Sequence, residues 1–203
     1  MKTIELKLYK FDELSDEAKE KAISEYRENN VEYFWVEEWK DSLRKFTDYF
    51  GIETDWSVGT SSCSYCDMSR NNFDGEILEL SGIRLRTYLL NNYYDIFYER
   101  KSYGQYKKRE NGKWKYDRYS KIQYIETSCP FTGYCGDEDV ISPMRNFIEK
   151  PSDNITFQEL IGDCLTSWKD GLLADMEYQD SEEFAKEELD QRDYDFTEDG
   201  EIY

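Results

Sequence analysis

Aromatic side chains recur at helical spacing in this chain. Trp35, Trp39, Leu43, Phe46 and Phe50 step by three or four residues, which predicts a helix over 32–50, and Gly51 stands where a left-handed C-cap is wanted. A second stripe, Leu160, Cys164, Trp168 and Leu172, follows the capping-box spacing Thr156-Phe157-Gln158-Glu159, with Gly171 placed to break or bend the helix. These stripes constrain the fold strongly because apolar residues make up only 38% of the 203 residues and charged ones 35%. The 18 Tyr, 11 Phe and 5 Trp supply the large buriable surfaces that disordered chains of similar charge lack. The length is enough for one core, so a single domain over 1–203 is expected, with 177–203 as a semi-independent acidic segment.

The other elements follow from local signals. A short strand is expected over 4–9, then a helix over 14–29 with Ser15 as N-cap and Ala18, Ala22, Ile23 and Tyr26 on its inner side. Ile52, Thr54, Trp56 and Val58 alternate as in a half-buried strand, and 76–80 reads as another strand after a Ser-, Cys- and Asn-rich connection. A helix over 83–98 precedes two short segments, 106–110 and 113–117, that flank Asn111-Gly112, the preferred pair for a tight hairpin turn. Ser142-Pro143 reads as the start of a short helix to about Lys150, and a charged helix over 181–192 leads to a small terminal hairpin around Asp199-Gly200. Helices at both ends with strands between them give an α+β fold with a mainly antiparallel sheet that includes a basic hairpin.

Composition excludes much chemistry. With no histidine, the chain alone builds neither a Ser-His-Asp triad, a Cys-His protease nor a His-ligated zinc hydrolase. No phosphate-binding glycine loop occurs and no carboxylates are paired by spacing as acid and base, so no catalytic residue is assigned. No run of about 18 apolar residues and no charged-then-apolar leader is present, which predicts a cytoplasmic chain in the host cell with no membrane span. Five cysteines without an export signal favour reduced thiols. Cys63, Cys66, Cys129 and Cys135 form two pairs that could hold a structural zinc, although the second spacing is wide, while Cys164 lies on an apolar stripe and is expected to pack. Asp137-Glu138-Asp139 suits a hard cation or, equally, a helix N-terminus.

Charge is distributed unevenly. The formal net charge is -19, and 177–203 holds 12 acidic and 2 basic residues, whereas 100–121 holds 9 basic and 2 acidic. Such acidity repels nucleic acid at long range and attracts basic proteins, so the expected partner is a basic nucleic-acid-handling protein. Glu182, Glu183, Glu187, Glu188, Asp190, Asp193 and Asp195 are the candidate partner-binding residues, and a solvated helix face is the plain alternative. Lys107, Lys108, Arg109, Lys113, Trp114, Lys115 and Arg118 are the candidate contacts for RNA, since cations interleaved with aromatics suit phosphates and bases. A ribbon with aromatics on one face and lysines on the other would serve packing on a core equally well.

The opening Tyr9-Lys10-Phe11-Asp12-Glu13-Leu14-Ser15-Asp16-Glu17-Ala18-Lys19-Glu20-Lys21-Ala22 resembles a set of small acidic proteins from phages, prophages and plasmids of Gram-positive bacteria. The loop Cys129-Pro130-Phe131-Thr132-Gly133-Tyr134-Cys135 and the ending Tyr194-Asp195-Phe196-Thr197-Glu198-Asp199-Gly200 are similar to that set as well. The resemblance is discontinuous and transfers no catalytic residue; it implies a mobile-element context. Such elements carry inhibitors of host defence, including anti-CRISPR proteins against type II-A nucleases, to which this chain is similar in size and acidity. The expected function is therefore an inhibitor whose acidic surface takes the place of nucleic acid on an RNA-guided nuclease. An RNA-directed module or metal-dependent nuclease using the basic hairpin, and an antitoxin-like partner of a basic protein, are the alternatives.

Overall fold

The computed structural model describes residues 7–29, 35–60, 63–99, 107–110, 113–116, 123–124 and 129–203. Among them the elements run α1 (Asp16–Asn29), α2 (Val36–Phe50), β1 (Ile52–Ser57), β2 (Tyr65–Asn71), α3 (Gly75–Leu78), α4 (Gly82–Asn92), β3 (Tyr98–Glu99), β4 (Lys107–Glu110), β5 (Lys113–Tyr116), β6 (Gln123–Tyr124), α5 (Cys135–Glu149), α6 (Phe157–Gln179) and α7 (Glu182–Gln191). The fold is α+β, with helices toward both ends of the chain. Its described strands form three two-stranded pairs, β1 with β2, β3 with β6 and β4 with β5, the last two antiparallel. Among the described residues no helix is long and apolar enough to cross a membrane.

The chain divides into two compact units. The first comprises Met1–Glu37, Ser57–Tyr65 and Lys169–Tyr203. Its core is Leu14, Ala18, Ala22, Ile23 and Tyr26 of the N-terminal segment packed on Ala185, Leu189 and Phe196. The expected N-cap of α1 forms, since the Ala18 amide donates to Ser15 Oγ at 3.2 Å. Tyr9 and Phe196 exchange backbone hydrogen bonds of 2.9 Å, so the two end segments of the chain close on one another within this unit. Phe196 pairs in turn with Ile202 across a turn in which Gly200 takes φ 83°. A Cβ at Gly200 would overlap the carbonyl oxygen of Ala18, so the terminal turn needs glycine both for its backbone conformation and for its approach to α1.

The second unit comprises Glu38–Trp56 and Cys66–Trp168. Trp39, Leu43, Phe46 and Phe50 of α2 are buried, as are Val140, Ile141, Met144, Phe147 and Ile148 of α5 and Phe157, Leu160, Ile161, Cys164, Leu165 and Trp168 of α6. Trp168 has an edge-on ring contact with Trp56 at 5.4 Å, and its indole N–H donates to the Trp39 carbonyl at 2.9 Å, so the one polar atom of this buried ring is satisfied. Gly51 has φ 65°, the left-handed conformation expected where α2 ends and β1 begins. Burial raises the Cys164 thiol pKa above its ordinary range, consistent with its packing position.

The structure departs from the local expectations at several places. The strand expected over 76–80 is instead the short helix α3, after which the Leu80 carbonyl accepts the Phe157 amide at 2.9 Å and Ser81 pairs antiparallel with Thr156. A strand, β2, occupies part of the Ser-, Cys- and Asn-rich connection. The helix expected to open at Ser142-Pro143 begins at Cys135 and carries Pro143 in its interior. Its buried residues lie on both sides of the proline, and each fully buried aliphatic or aromatic side chain contributes about 1.5–3 kcal/mol, together more than the roughly 3 kcal/mol an interior proline costs. Gly171 does not break α6, which continues to Gln179. The helix expected over 83–98 ends at Asn92 and is followed by a 3-10 turn, Tyr94–Ile96. Most of the strand expected over 4–9, the Asn111-Gly112 turn and Arg118 lie outside the described residues.

Candidate partner-binding surface

α7 sits in the first unit between two polar boundaries. Ser181 caps it, its Oγ accepting the Phe184 amide at 3.1 Å, and Glu182 and Glu183 occupy the first turn, where carboxylates favour the helix dipole. Ala185 and Leu189 are buried in the unit's core, and this fixes which residues face water. Glu183, Glu187 and Asp190, at four- and three-residue steps, form an exposed strip. At a rise of 1.5 Å per residue it spans about 10 Å.

The other four candidates have partners within the unit. Lys10 Nζ lies 2.6 Å from Asp193 Oδ1 and 2.7 Å from Asp195 Oδ1, joining the chain's beginning to its last segment. Its hydrogen bonds to these two carboxylates raise the Lys10 pKa, and the bond to Lys10 lowers that of Asp193. Glu188 is ion-paired with Arg192 and accepts from the Tyr26 hydroxyl at 3.5 Å. Glu182 lies 3.8 Å from Arg27 and 3.9 Å from Lys186. Glu187 of the strip accepts from the Tyr178 hydroxyl at 2.9 Å, which raises the tyrosine's pKa and fixes one oxygen while the residue stays exposed. Glu183, Glu187 and Asp190 therefore form the strip, while Glu188 and Asp195 with the exposed Glu182 and Asp193 tie α7 and the terminal segment to the rest of the unit.

The fold adds carboxylates that the C-terminal run alone does not suggest. By sequence the first unit carries 24 acidic and 9 basic residues, a net of -15, while the second carries 21 and 17, a net of -4. Residues 169–203 supply -11 of the first unit's charge, and 1–37 adds the remaining -4 because α1 packs on the same core as α7. Asp12 and Glu13 before that helix and Asp16, Glu17, Glu20 and Glu28 within it, all exposed, thereby join the acidic unit. Asp16 and Glu17, in the first turn of α1, also favour its dipole. Their link to the acidic tail needed the tertiary pairing of the end segments.

Cys66 is buried, Cys129 is half-buried and Cys63 and Cys135 are exposed, and among the described residues no group of three or more Cys, Asp or Glu is placed to hold a metal ion. Asp137 has a different task from cation binding. It is fully buried, and its Oδ2 accepts the amides of Phe131, Thr132 and Gly133 at 2.8, 2.6 and 3.0 Å while Oδ1 accepts the Thr132 hydroxyl at 2.9 Å. The carboxylate organises the loop preceding α5. A scan against protein-family models, a search of curated proteins and a search of solved structures each found no match to the chain.

Proposed function

We propose that this protein is a mobile-element inhibitor that binds a basic, nucleic-acid-handling defence protein stoichiometrically, its target the RNA-guided nuclease of a type II-A CRISPR system. The observation that carries this reading is the concentration of charge, a net of -15 in the first unit, with Glu183, Glu187 and Asp190 aligned on its exposed face. RNA-guided nucleases hold their guide–target heteroduplex in a channel whose cations read the phosphate backbone rather than the sequence. An array of carboxylates on a rigid helix meets the same cations without the backbone being present. It releases counterions in the same way, so its binding weakens steeply with salt.

The test mixes the purified protein with such a nuclease, before and after guide loading, over a salt series. The expected result is a complex at low salt, lost target cleavage, and weaker binding as salt rises. Glu183→Gln, Glu187→Gln and Asp190→Asn in one variant should weaken inhibition about tenfold or more while leaving the fold intact, because all three side chains are exposed. Neither complex nor lost cleavage at low salt would remove the proposal.

A further inference from the structure

Residues of the 3-10 turn Phe11–Glu13, of α1 and of α7 meet around a groove of about 370 Å³ within the first unit. Its floor is the half-buried Phe11 and the buried Ile23, and most of its surface is apolar. The exposed Asp12, Glu187 and Asp190 stand on its rim, together with Lys19 and Lys186. The floor is braced from behind, because the Phe11 ring lies 5.9 Å from that of Phe196 and Ile23 belongs to the same core. Both rim cations have acceptors inside the unit. Lys19 Nζ donates to the Asp12 carbonyl at 3.1 Å, and Lys186 Nζ lies 3.9 Å from Glu182 Oε2.

An apolar floor bordered by carboxylates selects its occupant. A purely aliphatic or aromatic side chain would cover the floor but strip water from the carboxylates without replacing it. A side chain with an apolar stem and a cationic head meets both surfaces at once. Arginine meets them better than lysine. Its planar guanidinium stacks on aromatic rings, presents paired N–H donors to carboxylates and is more weakly hydrated than an ammonium group. Charge complementarity points to the same occupant, since the unit carries a net of -15 and the groove shares Glu187 and Asp190 with the exposed strip of α7.

We infer that this groove seats an arginine side chain of a basic partner segment, its stem against Phe11 and Ile23 and its guanidinium among the Asp12, Glu187 and Asp190 carboxylates. The inference rests on the proposed function for the basic character of the partner and adds a point of selection to it. A strip of carboxylates answers any cationic surface, whereas the groove separates arginine from lysine.

The experiment titrates the full-length chain into two labelled peptides of equal length and charge, one with lysine at every cationic position and one with a single central arginine among lysines. Fluorescence anisotropy at low and physiological salt gives each Kd. The parent should bind the arginine peptide at least about threefold more tightly. Asp12→Asn with Asp190→Asn should weaken the arginine peptide about tenfold and abolish the preference. Glu20→Gln with Glu28→Gln removes equal charge from exposed positions outside the groove, and should weaken both peptides by the same factor, no more than about threefold. In methyl NMR spectra of the parent, the Ile23 signals should shift as the arginine peptide saturates. No binding of either peptide at low salt, equal Kd values for the two, a preference that survives the Asp12 and Asp190 substitutions, or unmoved Ile23 signals would each overturn the assignment. The peptides are tested without the nuclease, so a failed groove and a failed nuclease complex are read in separate experiments.

Discussion

Lys10 and Asp137 illustrate two ways in which one ionisable side chain fixes a local structure. Lys10 bridges Asp193 and Asp195, and its effect on stability has a defined pH window. The Lys10 pKa is raised, so its contribution is complete below the ordinary value of 10.5 and is lost as pH rises through the folded value. The Asp193 pKa is lowered, so that contribution is complete above its ordinary value of 3.8 and is lost as pH falls through the folded value. Lys10→Gln should therefore lower the melting temperature by a constant amount between these limits, with the gap from the parent closing below pH 3.8 and above pH 10.5; thermal melts across pH check this, and a gap that persists in acid would count against the bridge. Asp137 acts without competition from water. Asp137→Ala leaves three amides of the 131–133 loop without their acceptor and should cost about 2–4 kcal/mol in urea unfolding, with Asp137→Asn less costly because one amide oxygen remains. Neither role was legible in the sequence, because Asp137 lay in an acidic triplet and Lys10 in a mixed-charge segment, and what they contact is set by chain reversals.

At the scale of elements, caps were readable because both partners lie within one turn. Thr156 Oγ1 accepts the Glu159 amide at 3.2 Å and Glu159 Oε2 accepts the Thr156 amide at 2.8 Å, the reciprocal pattern that Thr156-Phe157-Gln158-Glu159 predicts. Those bonds to Thr156 also lower the Glu159 pKa. Thr156→Ala should cost about 1 kcal/mol and Thr156→Ser much less, read as a shift in the denaturation midpoint without change of slope. Elements were misread where a short apolar run or a proline was asked to decide alone. Ile77, Leu78 and Leu80 fit a strand as well as one helical turn. The helical turn is held by a long-range contact, the pairing of Leu80 and Ser81 with the start of α6. Ser142-Pro143 has the form of a helix start, yet the apolar stripe from Val140 to Ile148 is buried as one surface and carries the helix through the proline. β2 was missed because exposed polar residues dominate it, leaving no alternating apolar pattern to mark it.

For the whole molecule, the largest electrostatic effect is self-repulsion in the first unit, where 24 carboxylates face only 9 cations. Raising salt from about 0.02 M to about 0.2 M shortens the screening length about threefold and should raise the melting temperature by several degrees. Differential scanning calorimetry at fixed pH checks this, and a melting temperature unchanged or lowered by salt would show that the unit's ion pairs outweigh its repulsion. Binding to a cationic surface, as the proposed function requires, would relieve this repulsion. The proposed inhibition and the expected salt response therefore draw on the same electrostatic energy.

The helical stripes, the caps at Ser15 and Thr156, the hairpin and the sign and size of the net charge were legible along the chain, because each depends on residues within a few positions of one another or on composition alone. That α1 and α7 share a core, which gathers carboxylates from both end segments into one unit, and that Lys10 occupies two of the seven expected contact residues, emerge from folding alone. These depend on which distant segments meet, and that is settled by the burial of apolar faces whose partners no local spacing records.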